Sequence, residues 1–225
     1  MYKKVETKDG SFTFVSPIWY EAYHSLTGAI EEAELKHLAP TKNYFYDGCV
    51  VLDFCFGLGY NTFAALDFAR SQGFFVSVYA LELDKGILDR LSEIVLPEKY
   101  EAYRKIFVAM LSSEGEVYDD CVLYTYSDDY FLCNLFLGDA RDTIYKIEKN
   151  SVDIVYFDPF SPKKCPELWT ADVFTSVFET MKANSVLTTY SCARKVRDAM
   201  RDVGFEVTDG PVVKRWAPAT LGFKK

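Results

Sequence analysis

Carboxylate side chains follow three apolar runs in this sequence, and their positions predict one binding site. Glu82, Asp139 and Asp158 each come at or just after the end of a predicted strand. If these strands are parallel, their carboxyl ends meet at one edge of the sheet, where open α/β sheets bind ligands. Several acids in one crevice favour a cationic nucleoside without phosphates over a pyrophosphate. Each acid alone could equally be a turn cap.

A glycine turn precedes these acids and contributes backbone to the same edge. Residues 50–62 read VVLDFCFGLGYNT, an apolar run followed by Gly57, Gly59 and two good helix N-caps. Such a turn lets the backbone approach a ligand closely, but a nicotinamide site would require a third glycine. The ligand that fits best is S-adenosylmethionine. The cofactor contacts predicted here are Phe56, Gly57, Gly59, Asn61, Glu82, Leu83, Asp139, Ala140 and Asp158.

The residues after the last predicted acid suggest the reacting group. Asp158-Pro159-Phe160 is similar to the Asp-Pro-Pro-aromatic signature of enzymes that methylate amines. An Asp carboxylate can accept the hydrogens of an amine and so aim its lone pair at a methyl group. We therefore predict Asp158 and Phe160 as catalytic residues. The alternative is that Pro159 and Pro162 merely end a strand.

Composition excludes several classes of protein. The chain has 225 residues, 49% of them hydrophobic, which suits one α/β domain with an appendage and excludes a largely disordered protein. The net charge of −8 argues against a non-specific coat on nucleic acid. Six cysteines form no C-x-x-C pair, so we predict no metal site and reduced thiols in the cytoplasm. The sequence predicts neither a signal peptide nor a membrane span.

The elements that must position these side chains begin at Gly48. Strands and helices alternate from there, which predicts a Rossmann-like α/β fold with a mostly parallel, doubly wound sheet. An inserted hairpin interrupts the alternation at 113–138. The last two strands are predicted near 205–209 and 211–216. Before the alternation, a strand at 10–15 and a helix at 25–38 predict a small N-terminal extension.

One stretch points to a known family. Residues 158–169 read DPFSPKKCPELW and strongly resemble the D-(A/P)-F-S-P-x-x-x-P-x-L-W signature of MnmC-like tRNA wobble-uridine methyltransferases. Further matches at 23–29, 56–61, 138–140 and 189–191 extend the resemblance from about residue 9 to 216. The resemblance implies a class I S-adenosylmethionine-dependent enzyme that N-methylates the 5-aminomethyl group of uridine in the tRNA anticodon loop. The product would be 5-methylaminomethyl(-2-thio)uridine.

The resemblance also assigns residues and boundaries. It places Tyr23 and His24 near the cofactor, and it divides the chain into an extension at 1–46 and a methyltransferase domain at 47–225. Cys55 stands where many relatives have a glycine. Trp169 could stack on a substrate or simply pack its loop. The predicted substrate contacts are Ser161, Pro162, Lys163, Lys164, Trp169, Lys214 and Arg215.

The charge of the C-terminal residues and the length of the chain suggest how the substrate is bound and where it comes from. Residues 194–225 carry eight basic and four acidic side chains, which suits a local phosphate contact or, alternatively, a solvated tail. Bifunctional relatives carry a second, flavin-dependent domain that makes the aminomethyl precursor. Because this chain ends at Lys225, we expect a separate enzyme to supply that precursor.

Three other functions remain open from the sequence. An aminopropyltransferase of the spermidine-synthase type would share the fold and the nucleoside site. A methyltransferase acting on a small-molecule amine would share the catalytic residues as well. A non-catalytic RNA-binding protein on the same fold would bind no cofactor.

Overall fold

The N-terminal part of the chain forms a small sheet and a helical segment. The computed structural model describes residues 1–213 and 217–225. Strands β1 (Lys3–Glu6) and β2 (Phe12–Val15) pair antiparallel in a sheet of their own, as predicted for 10–15. The helical segment comprises α1 (Ala29–Glu32), a π-helical stretch (Ala33–Leu38) and α2 (Ala39–Thr41). It starts four residues later than predicted, because 25–28 form a turn in which the Gly28 N–H donates to the Ser25 carbonyl.

The rest of the described chain builds one large twisted sheet. Within residues 1–213 and 217–225 its strand order is β10-β11-β9-β8-β3-β4-β7-β6-β5. The five central strands are parallel and the strands at both edges are antiparallel, which confirms the predicted mostly parallel sheet. The strands are β3 (Cys49–Phe54), β4 (Val76–Glu82), β5 (Glu116–Val117), β6 (Cys121–Ser127), β7 (Phe131–Gly138), β8 (Val152–Phe157), β9 (Met181–Thr189), β10 (Glu206–Asp209) and β11 (Thr220–Lys224).

Helices cover both faces of this sheet. Neighbouring residues of β3 point to opposite faces, so Val51 joins one hydrophobic cluster and Leu52 the other. On the first face Phe63 packs edge-on against Phe107, with ring centroids 5.3 Å apart. This two-sided burial confirms the doubly wound arrangement. The helices are α3 (Tyr60–Gln72), α4 (Lys85–Leu88), α5 (Glu98–Leu111), α6 (Ala140–Thr143), α7 (Ala171–Thr180) and α8 (Arg194–Val203).

The last strand was predicted in the wrong place. Pro211–Val213 are not in a strand, and the rest of the predicted run, 214–216, lies outside the described residues. The chain instead pairs Asp209 with Thr220, so that β11 runs between β10 and β9. Pro211 lacks an N–H and cannot donate to a ladder, whereas the alternating residues of β11 pair on both sides. The apolar pair at 212–213 was therefore mistaken for a strand.

The topology brings the predicted site residues to one edge of the sheet. β8, β3, β4 and β7 are adjacent and parallel, so their carboxyl ends lie side by side. The glycine turn, Glu82, Asp139 and Asp158 all follow or end these four strands. Among the described residues, no helix has the length and apolarity needed to cross a membrane.

Candidate active site

The turn between β3 and α3 presents its backbone to the edge of the sheet. Cys55, Gly57 and Gly59 all have left-handed backbones, with φ of 74°, 57° and 76°. The Phe56 side chain points away into the core, where it is 1% exposed and stacks on Phe107 at 5.3 Å. A Cβ on Gly59 would lie 2.5 Å from the Phe56 ring. Gly59 thus lets Phe56 pack beneath the turn, while Cys55 and Gly57 face a cavity.

Glu82 holds this turn from the end of β4. Its side chain accepts the Gly57 N–H at 2.7 Å and the N–H groups of Leu83 and Asp84 at 2.9 and 2.8 Å. Burial raises the pKa of Glu82 to about 7, although these three hydrogen bonds oppose the shift. Each carboxylate oxygen can accept two bonds, so Oε2 retains an acceptor position. That position suits a ribose hydroxyl.

A cavity of about 780 Å³, solvent at its mouth included, opens above the strand ends. We call it the first cavity. Four carboxylates and one guanidinium are among its described lining residues, which suits the cationic nucleoside expected from the sequence. The predicted cofactor contacts Phe56, Gly59 and Asn61 do not line it. Its walls do include Tyr23, His24, Gly57, Glu82, Leu83, Asp139, Ala140, Asp158 and Phe160.

Asp139 lies in this cavity but already has a partner. It caps α6 by accepting the Arg141 N–H at 2.9 Å, and both its oxygens bind the Arg141 guanidinium. Its pKa is lowered chiefly by this hydrogen-bonded contact with Arg141. The predicted contact of Asp139 with the cofactor stays a prediction, and Arg141 already shares the same carboxylate.

Asp158, at the end of β8, is fixed by two side chains. Asn61 donates to Oδ2 at 3.1 Å, and His37 Nε2 lies 3.6 Å from the same oxygen. Burial alone would raise the pKa of Asp158, but His37, His24 and Asn61 outweigh burial and lower it to about 2. Asp158 is therefore a carboxylate throughout the physiological range. Asn61 orients this carboxylate instead of reaching the first cavity.

A second cavity, of about 900 Å³ with open solvent included, also has Asp158 in its wall. Tyr23, His24, Asp158 and Phe160 line both cavities. The two cavities therefore meet at Asp158. The remaining walls of the second cavity are Glu21, Ala22, Ser25, Leu26, Thr27, Glu32, Lys36, Pro159, Tyr190 and Val213.

The loop after β8 is held by its own side chains. Phe160 stacks on Trp19 at 5.1 Å, and its carbonyl accepts the Trp169 indole N–H at 2.8 Å. Trp169 is 7% exposed and packs against Phe157, so the geometry favours its packing role over substrate stacking. Ser161 donates its N–H and hydroxyl to Glu21, at 3.0 and 2.6 Å.

The other predicted substrate contacts are on the surface or undescribed. Lys163 and Lys164 are exposed, and Pro162 is half-buried. Lys164 lies near the exposed ring of Tyr20, with Nζ 6.0 Å from the ring centroid. Lys214 and Arg215 lie outside the described residues. All of these assignments stay predictions.

Sequence reasoning missed several groups near this edge of the sheet. His37 is fully buried, and its Nδ1 lies 2.8 Å from the Thr188 hydroxyl. Asp84 accepts the hydroxyls of Tyr2 and Tyr23 and so ties the N-terminal hairpin to the end of β4. Nothing in the local pattern around His37 signals its role, because its partners come from distant strands.

A family model supports the interpretation of this edge as a cofactor site. The model for S-adenosyl-L-methionine-dependent methyltransferases matches residues 101–225. That range includes Asp139, Asp158 and the loop that follows. No group of three or more His, Cys, Asp or Glu side chains suited to a metal occurs in the described part of the chain.

Individual proteins match a larger part of the chain than the family model does. An uncharacterized protein of Methanocaldococcus jannaschii is 33% identical over 98% of this chain and 59% of its own length. The tRNA 5-methylaminomethyl-2-thiouridine biosynthesis bifunctional protein MnmC of Azoarcus sp. is 30% identical over 87% of this chain. The chain spans only 32% of that protein.

Solved structures share the fold. The crystal structure of MNMC2 from Aquifex aeolicus superposes with a TM-score of 0.84 at 28% identity, covering 100% of this chain and 71% of that one. Spermidine synthase from Thermotoga maritima reaches 0.58 at 11% identity, with the same two coverages. At that identity the second likeness shows the fold alone.

Proposed function

Because this chain belongs to the S-adenosyl-L-methionine-dependent methyltransferases, we propose that it N-methylates the 5-aminomethyl group of a wobble uridine in tRNA. The observation that carries the proposal is the position of Asp158. Its ionised carboxylate lines both cavities. One cavity would hold the cofactor and the other the amine.

The first cavity provides the groups that the cofactor requires. When bound, S-adenosylmethionine supplies an electrophilic methyl group on a sulfonium sulfur. Glu82 would accept ribose hydroxyls through its remaining acceptor position, and Leu83, which is 53% exposed, would cover the base. Tyr23 and His24 would close the side next to the N-terminal hairpin. These contacts are proposed from the lining of the cavity.

Asp158 would orient the amine instead of serving as the final base. A carboxylate with a pKa near 2 accepts hydrogen bonds from an amine but holds a proton poorly at neutral pH. Asn61 and His37 restrict its rotation, so the amine's hydrogens would be drawn to a fixed direction. Its lone pair would then point toward the first cavity. Phe160, clamped by Trp19 and Tyr23, would exclude water from this junction.

The choice of tRNA rests on the related proteins and on exposed lysines near the second cavity's Pro159 and Phe160. The Azoarcus relative is named for 5-methylaminomethyl-2-thiouridine biosynthesis in tRNA. A base in an anticodon loop can be turned out into a pocket without breaking a duplex. Lys163 and Lys164 lie exposed on the loop after β8, where they could contact loop phosphates. Lys214 and Arg215 remain proposed contacts of the same kind.

We also propose the division into an extension at 1–46 and a methyltransferase domain at 47–225. The extension would contribute to the active site, because it supplies much of the wall of the second cavity. These lining residues lie between Glu21 and Lys36. The family assignment favours methyl transfer over aminopropyl transfer.

The test uses a synthetic anticodon stem-loop that carries 5-aminomethyluridine at the wobble position. Incubated with the protein and S-adenosylmethionine, it should yield 5-methylaminomethyluridine, detected by nucleoside mass spectrometry. Methylation of free amines but not of the RNA would indicate a small-molecule enzyme instead. A product that forms only with the decarboxylated cofactor would indicate aminopropyl transfer.

A further inference from the structure

A buried ion pair lines the second cavity. Lys36 and Glu32 are 5% and 7% exposed, and the Lys36 ammonium contacts Glu32 Oε1. Glu32 Oε2 accepts the Ser25 N–H at 2.8 Å. No other hydrogen bond of the Lys36 ammonium occurs among the described residues, and an ammonium has three donors. The pair therefore presents both a donor and an acceptor to the cavity.

Such a pair contributes little to the stability of the fold. Burying two charges loses their hydration, and an apolar pair of the same volume is often as stable or more stable. Lys36 also lies in the π-helical stretch (Ala33–Leu38), a local geometry found frequently at functional sites. The next residue in that stretch is His37, which faces Asp158. One short segment thus contributes both to the junction and to the cavity wall.

We propose that Lys36 and Glu32 recognise the Watson–Crick edge of uracil, an inference that rests on the proposed function. Lys36 would donate to O4, and Glu32 would accept the hydrogen on N3. Cytosine presents the opposite pattern, with an amino donor at carbon 4 and an acceptor at N3. Its amino group would therefore face the Lys36 ammonium, which is also a donor. Lys36 and Glu32 are thus specificity residues.

The orientation of the base is compatible with methyl transfer. In uracil, O4 is attached to the carbon next to carbon 5, which carries the aminomethyl group. A base whose O4 faces Lys36 would therefore extend its amine from the neighbouring position. Glu32, Lys36 and Asp158 all line the second cavity, so the pair and the carboxylate share one region. The substrate class is a 5-aminomethyl pyrimidine with a uracil edge.

The experiment compares two anticodon stem-loops that differ only in the base, one with 5-aminomethyluridine and one with 5-aminomethylcytidine. We expect the wild-type protein to favour the uridine by about 10- to 100-fold in kcat/KM. Lys36→Met should remove most of that preference without changing cofactor affinity measured by calorimetry. Lys149→Met, which breaks an exposed ion pair with Glu179 outside both cavities, should keep the preference.

A second variant, Glu32→Gln, should change the base preference in a way that a purely structural role of Glu32 would not. Glu32→Gln offers an amide N–H that can donate to N3 of cytosine, so it should raise cytidine methylation. If the wild-type protein methylates both stem-loops equally, or if Lys36→Met binds cofactor and keeps the preference, the recognition proposal is overturned and the proposed function stands. If the protein binds cofactor but methylates neither stem-loop, both proposals are overturned.

Discussion

The carboxylate of Asp158 is kept ionised by the groups around it. His37 and His24 lower its pKa electrostatically, and Asn61 stabilises the charged form by a hydrogen bond. Burial lowers the pKa of His24 itself more than the nearby acids raise it. At the scale of single residues, the site therefore holds a fixed negative charge, which suits orienting an amine.

Asp158→Asn tests this role. We expect kcat for the stem-loop to fall at least about 100-fold, because the variant loses the fixed charge that we propose orients the amine. Cofactor affinity, measured by calorimetry, should stay within about tenfold of the wild-type value. A parallel loss of cofactor affinity would instead identify Asp158 as a cofactor ligand.

Glu82 should make the stability of the folded protein depend on pH. Burial raises its pKa from 4.5 to about 7 on folding, so between these values the folded protein binds more protons than the unfolded chain. The associated stability is present below the unfolded pKa and is lost as the pH rises toward the folded pKa. Glu82→Gln should remove this slope.

The measurement is urea unfolding between about pH 5 and pH 8. Glu179→Gln is the control, because Glu179 is 44% exposed in its side chain and should leave the wild-type slope unchanged. An identical slope in Glu82→Gln and wild type would show that Glu82 does not titrate in this range.

At the scale of elements, α3 illustrates how one helix depends on two glycines. Gly59 precedes it with φ of 76°, and Gly73 ends it with φ of 74°. Both backbones are left-handed, but their surroundings differ. A Cβ on Gly59 would collide with Phe56 and Phe63, whereas a Cβ on Gly73 would meet nothing within 4 Å.

This difference predicts unequal effects of the same substitution. Gly73→Ala should lower the free energy of unfolding by about 1 to 2 kcal/mol, the cost of a left-handed non-glycine residue. Gly59→Ala should cost at least about 2 kcal/mol more, because it also displaces rings from a packed core. Urea unfolding of both variants measures the difference. Equal losses of unfolding free energy would mean that the Phe56 ring moves aside at no cost.

At the scale of the whole molecule, residues 1–46 must pack on the sheet for both cavities to exist. Trp19, Tyr23 and His24 line the first cavity, and residues 21–36 supply much of the second. The hydroxyls of Tyr2 and Tyr23 both donate to Asp84 at the end of β4. The assembled site thus spans the extension and the sheet.

Tyr23→Phe should weaken this docking. The variant removes a hydrogen bond to a charged group, which lowers the free energy of unfolding by about 1.5 to 3 kcal/mol. Hydrogen exchange should accelerate in residues 12–28 and stay unchanged in β8. Tyr130→Phe, at a tyrosine that is 47% exposed, should change stability by less than about 0.5 kcal/mol. Unchanged exchange in Tyr23→Phe would mean that other contacts hold the hairpin.

The sequence by itself determined the class of fold and the edge where the site lies. Hydrophobic runs, glycine turns and helix caps are local signals, and parallel strands place their carboxyl ends together regardless of the details of packing. For that reason Glu82, Asp139 and Asp158 could be predicted to lie along one edge. The left-handed backbone of Cys55 also agrees with the glycine that the family resemblance leads one to expect there.

The tertiary structure alone decided which neighbours these residues have. Phe56, Asn61 and Trp169 follow the expected motifs, yet their side chains pack in the core or support the site from behind. His37 reaches Asp158, and Lys36 reaches the second cavity, through contacts between segments far apart in the chain. Local patterns carry no information about such contacts, because burial and pairing depend on how the elements pack.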